Sequence, residues 1–160
     1  MEARRELDAL VAEKVMGWRR MTEGELYGDR FDTVYPSAAA AGFDRSRLCS
    51  FWLNPAQRNE YGEPMGMHLA EDDEDGYGPE SEKRFAPSTD IAAAWEVVET
   101  LDARPDHIKA LGFRTFEISK DASGWYLATF HGLSCQAGST VAAEAICLAA
   151  LKAVGAEVPA

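Results

Sequence analysis

Ser88-Thr89-Asp90-Ile91-Ala92-Ala93-Ala94-Trp95-Glu96-Val97-Val98-Glu99-Thr100-Leu101 is the stretch on which the reading of the fold turns. Ile91, Trp95, Val98 and Leu101 recur at spacings of four, three and three, which lines one face of an α-helix with apolar side chains and predicts burial of that face. Ser88 follows Pro87 and is placed to cap the helix, its hydroxyl accepting a first-turn amide. Asp90 sets negative charge near the positive end of the helix dipole.

Two further helices flank this one. Leu7, Leu10, Val11, Val15 and Trp18 form an apolar stripe that ends near Gly17. Trp18 reads as a core or edge anchor, with a base-stacking platform as the alternative. At the other end, Ser139 or Thr140 is expected to cap a helix through Val141, Ala145, Ile146, Leu148, Ala149 and Leu151, with Gly155 closing it. Apolar residues surround this last helix widely, so it should be the most buried of the three. Between the second and third helices, Phe113–Ile118 and Trp125–His131 alternate as half-buried strands around the turn-forming Lys120-Asp121-Ala122-Ser123-Gly124, which predicts a β-hairpin.

From Arg19 to Phe85 the periodicity is lost. Asp32–Tyr35 and Leu48–Leu53 each read as a short strand, separated by the alanine-rich run Ser37–Gly42. A connection this long is expected to be a functional or mobile excursion, here 19–86, within a single domain covering 1–160. A chain of 160 residues buries roughly 70% of its unfolded surface without a staple.

Charge narrows the partners. With 27 acidic against 16 basic residues the net charge is -11, which repels duplex nucleic acid and anionic membrane surfaces. A small nucleotide is compatible, since a few local arginines can hold one whatever the global charge. Cys49, Cys135 and Cys147 form no CxxC pair and are odd in number, which suits free thiols in a reducing compartment. The first residues carry no leader-like apolar core and no run approaches a membrane span, so the expected location is the cytoplasm.

Candidate chemistry is sparse. Glu71, Asp73 and Asp75, followed by Gly76 and Glu82, partly match a calcium loop, but Gly78 and Pro79 break the pattern, and a solvated acidic loop is the plainer reading. His131 and Cys135 are four apart and could form a nucleophile pair, but an activated thiolate needs a specific charge environment that the sequence does not show, and a structural Cys135 is the plainer reading. No glycine-rich phosphate loop or nucleophile elbow is present, and no cofactor is called for. Trp52, Arg58 and Tyr61 offer aromatic faces for a base and a guanidinium for a phosphate; alternatively Trp52 packs in the core and Arg58 makes a surface ion pair.

Leu7–Trp18, Pro87–Glu99 and Ala142–Ala153, with a hairpin between the last two, together resemble the phage ABA sandwich domain family. That resemblance implies an α+β, α/β/α-type sandwich with three main helices on a small, mostly antiparallel sheet. It also implies a phage or prophage setting, hence the host cell cytoplasm, and carries no catalytic residues. By analogy of setting, the leading expectation is a non-enzymatic accessory or counter-defence protein that sequesters a small nucleotide signal. The alternatives are an interaction or assembly module with an acidic surface facing a host protein, and a metal-dependent hydrolytic enzyme. A homo-oligomer is compatible with each.

Overall fold

The computed structural model describes residues 2–27, 45–55, 67–69, 85–103, 116–131 and 135–158. In chain order the elements are α1 (Glu2–Leu10), a π-helical turn (Val11–Val15), β1 (Arg19–Thr22), α2 (Glu23–Tyr27), β2 (Leu48–Leu53), β3 (Met67–Leu69), α3 (Ile91–Ala103), β4 (Phe116–Lys120), β5 (Tyr126–Phe130), β6 (Cys135–Ser139) and α4 (Ala142–Ala153). The fold is α+β, as expected; among the described residues its strands form two three-stranded antiparallel sheets, β1-β2-β3 and β4-β5-β6, rather than the single small sheet that the sequence implies. The chain groups into two compact units, Met1–Gly17 with Phe85–Ala160, and Trp18–Arg84.

In the first unit α4 lies across β5 and β6, and α3 and the π-helical turn pack against α4. Ala143, Ala145, Ile146, Cys147, Ala149, Ala150 and Leu151 are all buried, so α4 is the central helix of this unit. Its carboxyl end is a Schellman closure: Ala156 N–H reaches Leu151 O and Gly155 N–H reaches Lys152 O, both at 3.0 Å. Gly155 takes φ +72 there, a conformation that a side chain would strain. At the amino end Val141 holds the N-cap position without a side-chain bond of its own; Ser139 Oγ instead accepts Val141 N–H at 3.1 Å and donates to Glu144.

The buried face of α3 differs from the expected one. Ala93, Ala94, Val97, Val98 and Leu101 are buried, whereas Ile91 is 46% and Trp95 44% exposed. Val98 and Leu101 belong to both faces; the rotation comes from the alanines, whose small side chains let α3 approach the alanine-rich α4 closely and so carry the contact. Ser88 is not the cap either. A tight turn, with Thr89 and Asp90 N–H both on Ala86 O, delays the helix to Ile91, and Asp90 Oδ1 accepts Ala92 N–H at 2.9 Å. Ser88 lies fully buried, its amide donating to Asp8 Oδ1 of α1 at 2.8 Å.

The hairpin forms close to the expected place. Gly124 N–H on Asp121 O closes a type I turn, Gly124 itself takes φ +88, and Asp121 N–H on Trp125 O begins the ladder, the pattern of a three-residue loop. Asp121 Oδ1 also accepts Ser123 and Trp125 N–H, and the Ser123 hydroxyl first of all holds its carboxyl below the usual range. The third strand, β6, has little sequence signal, being Cys-Gln-Ala-Gly-Ser. A Cβ at Gly138 would collide with Trp125 Nε1, so Gly138 admits the indole diagonally across the strands.

In the second unit, Leu48–Leu53 is a strand as expected, while β1 and α2 occupy residues without a periodic pattern. Met21, Cys49 and Leu53 form its small core, with Phe51 packed against it. The strand expected at Asp32–Tyr35 and the run Ser37–Gly42 lie outside the described residues.

Candidate functional site

Trp52 sits in the middle of β2, opposite Arg20 of β1 and His68 of β3. Only 3% of it is exposed, and the Arg20 guanidinium lies 5.4 Å over its ring. Nε and Nη2 of Arg20 both donate to Cys49 O, at 2.9 and 2.8 Å, so backbone and ring together hold this arginine. Arg58 and Tyr61 lie outside the described residues, as do Glu71, Asp73, Asp75 and Glu82.

Beside this pair is a denser polar arrangement that the sequence reading missed. Thr22 Oγ1 accepts Glu25 N–H, and a Glu25 carboxylate oxygen takes Thr22 N–H at 3.0 Å, a capping box that starts the short α2. Arg19 grips the same carboxylate through both terminal nitrogens, Nη1 at 2.9 Å from Oε2 and Nη2 on Oε1. That bidentate bond, more than any other influence, lowers the Glu25 pKa to about 2. Thr-Glu-Gly-Glu at 22–25 is the signal that could have disclosed the box. Gly24 N–H and Glu23 N–H then bond to Arg45 O and Arg47 O, which brings four arginines to this end of the second unit.

His131 and Cys135 end up in different surroundings. His131 follows β5 with Nε2 2.9 Å from Glu117 Oε2, and Cys135 opens β6 opposite Phe130. Cys147 is buried in α4, and burial first, then the charges of Asp8 and Glu144, push its thiol well above the ordinary value. Burial likewise raises the Cys49 thiol. Among the described residues no three His, Cys, Asp or Glu side chains are grouped to hold a metal ion.

Apolar side chains are on the surface of the first unit. Ile91 and Trp95 share one line of α3, and Trp95 meets Phe116 of β4 edge-on, with ring centroids 5.3 Å apart. On the opposite face of the sheet Trp125 and Leu127 are exposed as well. A family model described as the phage ABA sandwich domain matches residues 63–151, more than half of the chain. The chain belongs to the phage ABA sandwich domain family. The match takes in β3, α3, the whole β4-β5-β6 sheet and α4 as far as Leu151, and leaves out the first helix. This ABA sandwich protein is therefore a phage protein by family. Neither a curated protein nor a solved structure matches it. No helix of the described residues is long and apolar enough to cross a membrane.

Proposed function

We propose that this phage ABA sandwich protein is a non-enzymatic accessory protein of the host cytoplasm that works as an interaction module, binding a basic protein partner. The supporting observation is the exposure of Ile91, Trp95, Trp125 and Leu127 on one unit of a chain that carries a net charge of -11. Large apolar side chains contribute strongly to protein interfaces, and the surrounding acidic field draws in positive partners. Thermal unfolding against a panel of basic peptides, nucleotides and calcium is the test. Ligands that bind only the folded state stabilise it by about 2.7 kcal/mol at one hundred times their Kd, which a melting curve resolves. The expected result is a salt-sensitive rise with basic peptides; a rise with calcium alone, or turnover of any nucleotide, would overturn the reading.

A second reading is favoured by Arg19, Arg20, Arg45 and Arg47, gathered on β1 and before β2 in an otherwise acidic chain. Here the second unit sequesters a small nucleotide signal, with Arg58 on a phosphate and Tyr61 on a base, as a counter-defence device. Burial of Trp52 under Arg20 leaves its ring to packing, so Tyr61 carries the stacking in this reading. Calorimetric titration with linear and cyclic nucleotides, including cyclic ADP-ribose isomers, decides it. Saturable binding that Arg58→Ala removes, with the ligand recovered intact, supports sequestration.

A further inference from the structure

The β4-β5-β6 sheet has two outer strands, and their main-chain groups meet different fates. An antiparallel ladder alternates hydrogen-bonded and non-hydrogen-bonded pairs. Counted from Asp121 N–H on Trp125 O, the pairs Ser119–Leu127 and Glu117–Thr129 bond to each other. The N–H and C=O groups of Phe116, Ile118 and Lys120 therefore face away from β5. Among the described residues β4 pairs with β5 alone. Continuing the count, Gln136 turns its carbonyl outward from β6, and there Lys152 Nζ donates to it at 3.1 Å.

On α3, Ile91, Trp95, Glu99 and Asp102 share one line at helical spacing. Trp95 touches Phe116 of the edge strand itself. The helix holds Glu96, Glu99 and Asp102 and neither lysine nor arginine. From these features we infer that β4 accepts an extended segment of a partner protein as a fourth strand, read by α3, with the inward-facing pattern apolar-x-apolar-x-basic. This rests on the interaction-module reading and names its site and partner. Recognition by strand addition divides the work: main-chain bonds to Phe116, Ile118 and Lys120 supply affinity, and alternate side chains supply selectivity.

The spacing supports the pattern. Four helical residues advance about 6 Å and two strand residues about 6.6 Å, so for a strand laid along α3 successive inward side chains meet Ile91, Trp95 and then Glu99. Charge selects the occupant. A second copy of this chain brings another net charge of -11 and is repelled, whereas a basic segment is drawn to the carboxylates of Glu99 and Asp102.

The test is calorimetric titration of the full chain with an amidated valine–threonine–leucine–threonine–lysine–threonine peptide, its reversed sequence, and versions with glutamate for lysine. Lys120→Pro removes one edge N–H without touching a β4–β5 bond, and Lys120→Ala keeps that N–H while removing the ammonium. At least one lysine peptide should bind saturably, and Lys120→Pro and Trp95→Ala should each weaken it about tenfold or more, the scale of a lost hydrogen bond or anchor. Lys120→Ala should stay within about twofold and the glutamate peptides should bind about tenfold less tightly. Circular dichroism of each variant establishes that it is folded. Full binding by folded Lys120→Pro, or no binding by either lysine peptide, overturns the inference. Loss of binding in Trp125→Ala with Lys120→Pro unaffected also overturns it, while leaving the interaction-module reading in place on the opposite face.

Discussion

Single residues in the first unit show how packing and polarity were balanced. The Ser88 hydroxyl is fully buried and has no hydrogen-bond partner among the described residues, while its own amide is satisfied by Asp8. A buried hydroxyl without a partner keeps the cost of leaving water and gains nothing in return. Ser88→Ala should therefore be neutral or stabilising by up to about 1 kcal/mol in urea unfolding. A loss larger than that would mean the hydroxyl has a partner after all. Ile91 and Leu101 test the rotated face of α3 in the same way: Leu101→Ala should cost about 2 to 5 kcal/mol and Ile91→Ala less than about 1. Equal losses would restore the face drawn from Ile91 and Trp95. Large residues at helical spacing dominated the sequence reading, while Ala93 and Ala94, the residues that fit the narrow space beside α4, gave little signal.

At the level of elements, legibility followed periodicity. The α3 and α4 helices and the hairpin were read because a 3.6-residue or alternating pattern runs through them. The capping box of α2 was missed because five residues are too few to show a period, and β6 because small side chains carry no strand preference. The sequence leaves Trp52 open as ligand platform or core residue, and only the fold shows Arg20 stacked on it. The α2 box also makes a pH prediction. Glu25 has a pKa of about 2 against a reference of 4.5, so the folded state binds fewer protons and gains stability as pH rises through that interval. The advantage of the wild type over Glu25→Gln should be fully present above the upper value and should shrink as pH falls toward the lower one. Parallel denaturation curves for the two proteins from neutral to acid pH would measure this, and a constant difference would exclude the Arg19–Glu25 bond as its source.

For the whole molecule, net charge and edge protection act together. A charge of -11 opposes the approach of a second copy, and Lys152 bonds to the outward carbonyl of β6. Lys152→Ala should leave the fold intact but produce concentration-dependent association, visible by light scattering at raised salt, where repulsion is screened. No change in particle size would show that the lysine is dispensable at that edge. Family and fold class were legible from sequence because the helices and hairpin carry them, while the outer edge of β4 was not, because an edge is a property of main-chain direction rather than of residue type. The Lys152–Gln136 contact has a further consequence for stoichiometry. With the Gln136 carbonyl taken by Lys152, a strand added at β6 would forgo a main-chain bond that β4 still offers, so titration should saturate at one guest per chain rather than two.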